Sequence, residues 1–162
     1  MTDTIEVYID HDGDTHLLGR CRYVARHRSQ SSVFEYADEW LSRPAAFAID
    51  PENLPLRVGP AYTTSDKSAL PGALRDTAPD RWGQQLIRRA FRKAGKERTL
   101  SEIDYLLAIT DRTRIGALRY RREGENTFDH DMGHYRVPPL IQLPALVTPL
   151  TQYRQTLRQQ RT

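Results

Sequence analysis

Ile5, Val7 and Ile9 alternate with Glu6, Tyr8 and Asp10 near the start of the chain, the period of two expected of a strand with one buried face. Asp12-Gly13 follows, a pair that tolerates positive φ and so predicts a tight hairpin turn. The return strand is expected through Leu17, Leu18, Gly19 and Cys21 to about Val24. A third apolar run, Val33-Phe34-Glu35-Tyr36, leads into Ala37-Asp38-Glu39-Trp40-Leu41, which suits a short helix ended before Pro44. From Ala45 to about Pro79 the prolines at 51, 55, 60, 71 and 79 break any sustained period and predict loops and short strands.

Helical order returns after Pro79. Trp82, Leu86, Ile87, Ala90 and Phe91 form one stripe while Arg88, Arg89, Arg92 and Lys93 point elsewhere, so a helix near 80–94 is predicted, with the Trp82 and Phe91 rings in the core. Gly95 suits its end. Thr99-Leu100-Ser101-Glu102 has the spacing of a capping box and predicts a helix near 101–109 through Ile103, Leu106, Leu107 and Ala108. Gly116 to Tyr120 reads as a strand, and residues 121–137 as a polar excursion. After Pro138-Pro139 a last amphipathic helix is predicted, with Leu146, Leu150, Tyr153 and Leu157 on one face and Gln152, Arg154, Gln155 and Arg158 on the other. That apolar face needs something to pack on, either a partner protein or the chain's own sheet.

These elements give an α+β fold: a small N-terminal β-rich subdomain, hairpin and further strands, packed with helices near 80–94 and 101–109 and followed by a C-terminal amphipathic helix. The expected division is a domain over residues 1–120, with the excursion and last helix over 121–162. A chain of 162 residues accommodates one main domain. With 38% hydrophobic residues, two Trp and eight Tyr, and a mean hydropathy of -0.68, it is expected to fold with a wet surface. No apolar run reaches membrane-spanning length, and the start, Met1 to Glu6, lacks the basic and apolar regions of a signal peptide. Cytoplasmic residence is the expectation, with no membrane partner. Cys21 is the single cysteine, which excludes an internal disulfide and a cysteine-based zinc site and reads as a small buried strand residue.

Charge changes the picture through its placement. Net charge is +3, yet residues 1–80 hold 8 basic and 13 acidic side chains against 16 and 8 in residues 81–162. A solvated arginine-rich helix face explains this; contact with phosphates or an acidic surface is the functional reading, with Arg88, Arg89, Arg92 and Lys93 as the phosphate-contacting candidates.

Phosphoryl transfer requires groups around the nucleotide phosphates, an Asp that orients the acceptor hydroxyl and another that holds magnesium. The sequence contains no G-x-G-x-x-G, no P-loop and no Asp-Phe-Gly, and Asp131 after His130 lacks the following Asn of a catalytic loop. No G-x-S-x-G supports a serine nucleophile. No catalytic residue is therefore assigned. His130 and His134, with Asp129 and Asp131 beside them, have a spacing that could hold a metal on a helix, but the intervening Met132-Gly133 disfavours that helix and a solvated loop is expected. Asp10, Asp12 and Asp14 around Gly13 are read as the hairpin turn, not as a calcium loop.

Three stretches, in order, resemble the N-terminal region of HipA-like serine/threonine kinase toxins. They are Phe34-x-Tyr36-x-x-x-Trp40-Leu41, Pro79-Asp80-x-Trp82-Gly83, and Ile103-Asp104-Tyr105-Leu106-Leu107 through Gly116-Ala117-Leu118. The likeness covers roughly residues 5–150. It implies an α+β N-terminal subdomain of a bacterial toxin–antitoxin module, whose complete toxin is a kinase held inactive by a DNA-binding antitoxin. It also implies that Pro138 to Pro144 precedes the glycine-rich nucleotide loop and that the catalytic and magnesium-binding Asp residues lie beyond Thr162. ATP and magnesium are then expected only with a kinase core, and the expected role is a non-catalytic interaction or regulatory module. Its partners would be the DNA-binding antitoxin, bringing an indirect association with DNA, or a separate kinase core. A truncated toxin, a piece of a working kinase and a separate subunit all satisfy the resemblance, and a direct nucleic-acid-binding module is the further alternative.

Overall fold

A computed structural model of the chain describes residues 2–26, 29–63, 68–95 and 98–128. The strands are β1 (Thr2–His11), β2 (Asp14–Arg26), β3 (Ser29–Tyr36), β4 (Ala61–Thr63) and β5 (Leu118–Arg122). The helices are α1 (Asp38–Leu41), α2 (Gly72–Arg75), α3 (Arg81–Lys93) and α4 (Glu102–Leu107), with a 3-10 turn at Asp111–Thr113. The chain is α+β and β-rich, as the periodicities predicted. The predicted C-terminal helix, with Leu146, Leu150, Tyr153 and Leu157, lies outside the described residues, as do Asp129, His130, Asp131 and His134.

All strand pairs are antiparallel, in the order β4-β3-β2-β1-β5. The first hairpin turns where predicted, with Asp12 at φ 53° and Gly13 at φ 87°, the left-handed pair of a two-residue turn that matches strand twist. The β1–β2 register shifts between Val7, opposite Gly19, and Tyr8, opposite Leu17, leaving Leu18 as the extra residue of a bulge. Leu18 is nonetheless fully buried.

The main core lies where Ile5, Val7, Cys21, Phe34 and Tyr120 of the sheet meet Trp40, Leu74, Ile103 and Leu106 of the helices. Cys21 is the buried strand residue expected, and burial pushes its thiol up to about 12, which leaves it protonated and inert at neutral pH. A smaller cluster joins Ile87 and Phe91 of α3 to Ala108, flanked by Leu100 and Tyr105.

Gly19 shows why the central hairpin needs a residue without a side chain. A Cβ there would fall onto the Glu35 carbonyl oxygen of β3 and within 2.8 Å of Phe34 Cζ. Gly19→Ala must therefore separate β2 from β3 or displace a buried ring. It is expected to lower stability by about 1–3 kcal/mol, read as a fall in the urea midpoint at constant m-value; an unchanged midpoint would show that the strands are not so closely apposed.

Three expectations change. The last strand is Leu118–Arg122, shifted from 116–120, because Gly116 at φ 93° still belongs to the turn. The capping box is Ser101 with Asp104, not Thr99 with Glu102. Glu102 is engaged elsewhere, its Oε2 accepting from Ser68 Oγ and from the Ala69 amide, both at 3.1 Å. Trp82 is not in the core but 68% exposed. It precedes Ile87 by five residues, about 140° around a helix of 3.6 residues per turn, so burying Ile87 and Phe91 turns its indole outward.

Candidate functional site

Part of the charge split of the sequence resolves into internal pairs. Acidic β1 lies beside basic β5: Asp3 meets Arg122 at 3.1 Å, Glu6 meets Arg121 at 2.6 Å and Asp10 meets Arg119 at 2.7 Å. Arg121 also lies over the Tyr8 ring at 4.5 Å. The candidate calcium loop dissolves in the same way, since Asp10 also accepts from Thr15 Oγ1 at 2.6 Å. Among the described residues no group of three or more His, Cys, Asp or Glu side chains gathers as a metal site requires.

Asp104 anchors a second network. Its side chain is 1% exposed, yet it accepts from both Arg98 terminal nitrogens at 2.7 Å, from the Ser101 amide at 2.9 Å and hydroxyl at 2.8 Å, and from Arg122 at 3.3 Å. Burial acts to raise the carboxyl pKa, but the Arg98 and Ser101 hydrogen bonds outweigh it and hold it below the ordinary value. At the other end of α4, buried Arg114 donates to the carbonyls of Leu106 at 2.7 Å and Ile109 at 3.0 Å, satisfying oxygens that a helix end leaves open. Its guanidinium lies 4.6 Å from the Tyr120 ring centroid. Arg122 through Asp104, and Arg114 through the Tyr120 ring, thus tie both ends of α4 to β5.

Against this background α3 stands apart. Asp80 caps it, accepting from the Gly83 amide at 2.7 Å, and a Cβ on Gly83 would lie 2.9 Å from Pro79 Cβ. The Pro-Asp-x-Trp-Gly motif is thus a packed helix start whose Trp faces outward. Arg88, Arg89, Arg92 and Lys93 are all exposed on this helix, and among the described residues no carboxylate lies within ion-pair distance of any of them. The helix itself carries no acidic residue.

A groove of about 550 Å³ runs between α3 and α4. Arg88 and Arg92 of α3 line it with Arg98 and Thr99 of the connection, and Phe91, Leu100 and Tyr105 supply its apolar part. Arg98 is half-exposed and matched by Asp104, whereas Arg88 and Arg92 bring unmatched positive charge. Of the four basic candidates the groove gathers these two; Arg89 and Lys93 are not among its lining. Sequence periodicity did not reveal Arg98, Leu100 or Tyr105 as lining, because they lie outside the period of α3 and meet it only in the folded chain. The small cluster around Phe91 was the available signal.

A family model described as the HipA N-terminal domain matches residues 19–121, more than half of the chain. The match begins inside β2 and ends inside β5; β1 precedes it and pairs with both. No curated protein matches the sequence.

Proposed function

The chain belongs to the HipA N-terminal domain family, and from that premise we propose that it is a non-catalytic interaction or regulatory module of a HipA-like toxin–antitoxin kinase system. Its partner is a DNA-binding antitoxin or a separate kinase core, in the cytoplasm, and ATP and magnesium belong to that core. One observation carries the reading: arginines 119, 121 and 122 of β5 are engaged with carboxylates of β1 and with Asp104 in holding the fold together, while an unmatched basic helix beside a partly apolar groove is left outward. That is the arrangement of a surface that is met by something else. Among the described residues no helix is long and apolar enough to cross a membrane.

Isothermal titration of the chain with magnesium and ATP is expected to give no binding heat. Micromolar binding accompanied by phosphate transfer to any protein would overturn the proposal in favour of a working kinase segment. The predicted apolar face of Leu146, Leu150, Tyr153 and Leu157 belongs to the same proposal as a second docking surface for the kinase core.

A further inference from the structure

We propose that the groove between α3 and α4 is a docking site for an acidic peptide segment that carries an apolar side chain. Its carboxylates meet Arg88 and Arg92, and its apolar side chain enters against Phe91, Leu100 and Tyr105. The proposal deepens the interaction-module reading and rests on it.

Charge complementarity identifies the occupant. Other arginines of the fold, at positions 98, 119, 121 and 122, have carboxylates at 2.6–3.3 Å, but those of the α3 face have none among the described residues. Carboxylates docked there would gain charge-assisted hydrogen bonds, and an arginine fork suits a carboxylate in two-point geometry. The groove's volume of about 550 Å³ accepts one or two side chains. Its floor belongs to a small cluster of three buried residues, whose rim an apolar side chain from outside would complete.

A single nucleic-acid strand fits less well. Strand binding needs aromatic faces open for base stacking. Phe91 is buried, and the Arg98 guanidinium already lies 5.7 Å from its ring centroid.

The whole chain is titrated against four fluorescent probes by anisotropy: an Asp/Glu-rich peptide with one Leu and one Phe, the same peptide with both replaced by Ser, a Lys-rich peptide, and a single-stranded oligonucleotide. The first probe is expected to bind, the second at least about fivefold more weakly and the third not at all, with affinity for the first falling as salt rises. Arg88→Glu with Arg92→Glu is expected to weaken the first probe by roughly tenfold or more. The thermal transition should stay unchanged, since both side chains are exposed and make no ion pair among the described residues; Arg88→Gln with Arg92→Gln repeats the test without added negative charge. Equal binding by wild type and both variants, indifference to loss of Leu and Phe, or tighter binding of the oligonucleotide than of the acidic peptide overturns the groove assignment. None of these results touches the module reading, which the ATP titration decides separately.

Discussion

Trp40→Ala is expected to lower folding stability by about 3–5 kcal/mol, while Trp82→Ala is expected to change it by no more than about 0.5 kcal/mol. The apolar pattern of the sequence placed Trp82 in the core. Trp40 is fully buried in the structure. Its Nε1 donates to the Phe47 carbonyl at 3.1 Å and its ring meets Phe47 edge-on at 5.3 Å. Removing the indole leaves a cavity between α1 and the sheet together with an unpaired carbonyl, and both costs add. Trp82 has neither burial nor a comparable contact to lose, being 68% exposed. Since domains of this size are stable by about 5–15 kcal/mol in total, the first variant approaches the limit of folding and the second does not. Urea titration followed by far-ultraviolet circular dichroism separates them; equal losses would return Trp82 to the core and remove it from the α3 surface.

Asp104→Ala is the second large effect, expected at about 3 kcal/mol at neutral pH. The substitution removes a helix cap and the carboxylate that both Arg98 and Arg122 meet. Half-exposed Arg98 can turn to water, which keeps the loss at the lower end of the range for a broken buried pair. The pH dependence identifies the mechanism. A carboxyl held below its ordinary pKa in the folded state binds its proton less readily there than in the unfolded chain. Its contribution is therefore complete above the unfolded value of about 3.9 and disappears as pH falls through the lower folded value. The gap in stability between wild type and Asp104→Ala should be constant from pH 7 to about 5 and narrow below about 4. A gap that is independent of pH would assign the loss to packing alone.

Local chemistry was legible in the sequence wherever neighbours along the chain decide the outcome. Asp12-Gly13 can only turn, Pro44 ends α1, and Ile87 with Phe91 marks the buried side of α3. Contacts between distant segments were not legible. Nothing local to Glu102 announces that Ser68 and Ala69, more than thirty residues earlier, will claim its carboxylate. β4, three residues long, is a strand only because β3 offers it an edge. The excess of acid in the first half and base in the second was read as a solvated helix face, with phosphate or an acidic surface as the functional alternative, and three acids and three arginines of that imbalance pair across β1 and β5. The α3–α4 groove was half legible: Arg88, Phe91 and Arg92 stand on a periodic helix, and the rest of its lining depends on contacts with segments that follow it.

The position of β1 between β2 and β5 bears on how the molecule is assembled. β1 finds β2 within a few residues, but its other neighbour is β5, the last strand among the described residues, so that Glu6 and Arg121 meet across a separation of 115 residues. Closing so long a loop is entropically costly before any contact rewards it, and chains rich in distant pairings fold slowly for that reason. During synthesis at about 5–20 residues per second, the β1–β2 hairpin emerges many seconds before β5 does. Throughout that interval one edge of β1 presents open backbone groups to any other strand in reach. Protein made slowly or at high concentration is therefore exposed to mispairing at β1 until β5 brings Arg119, Arg121 and Arg122 to Asp10, Glu6 and Asp3.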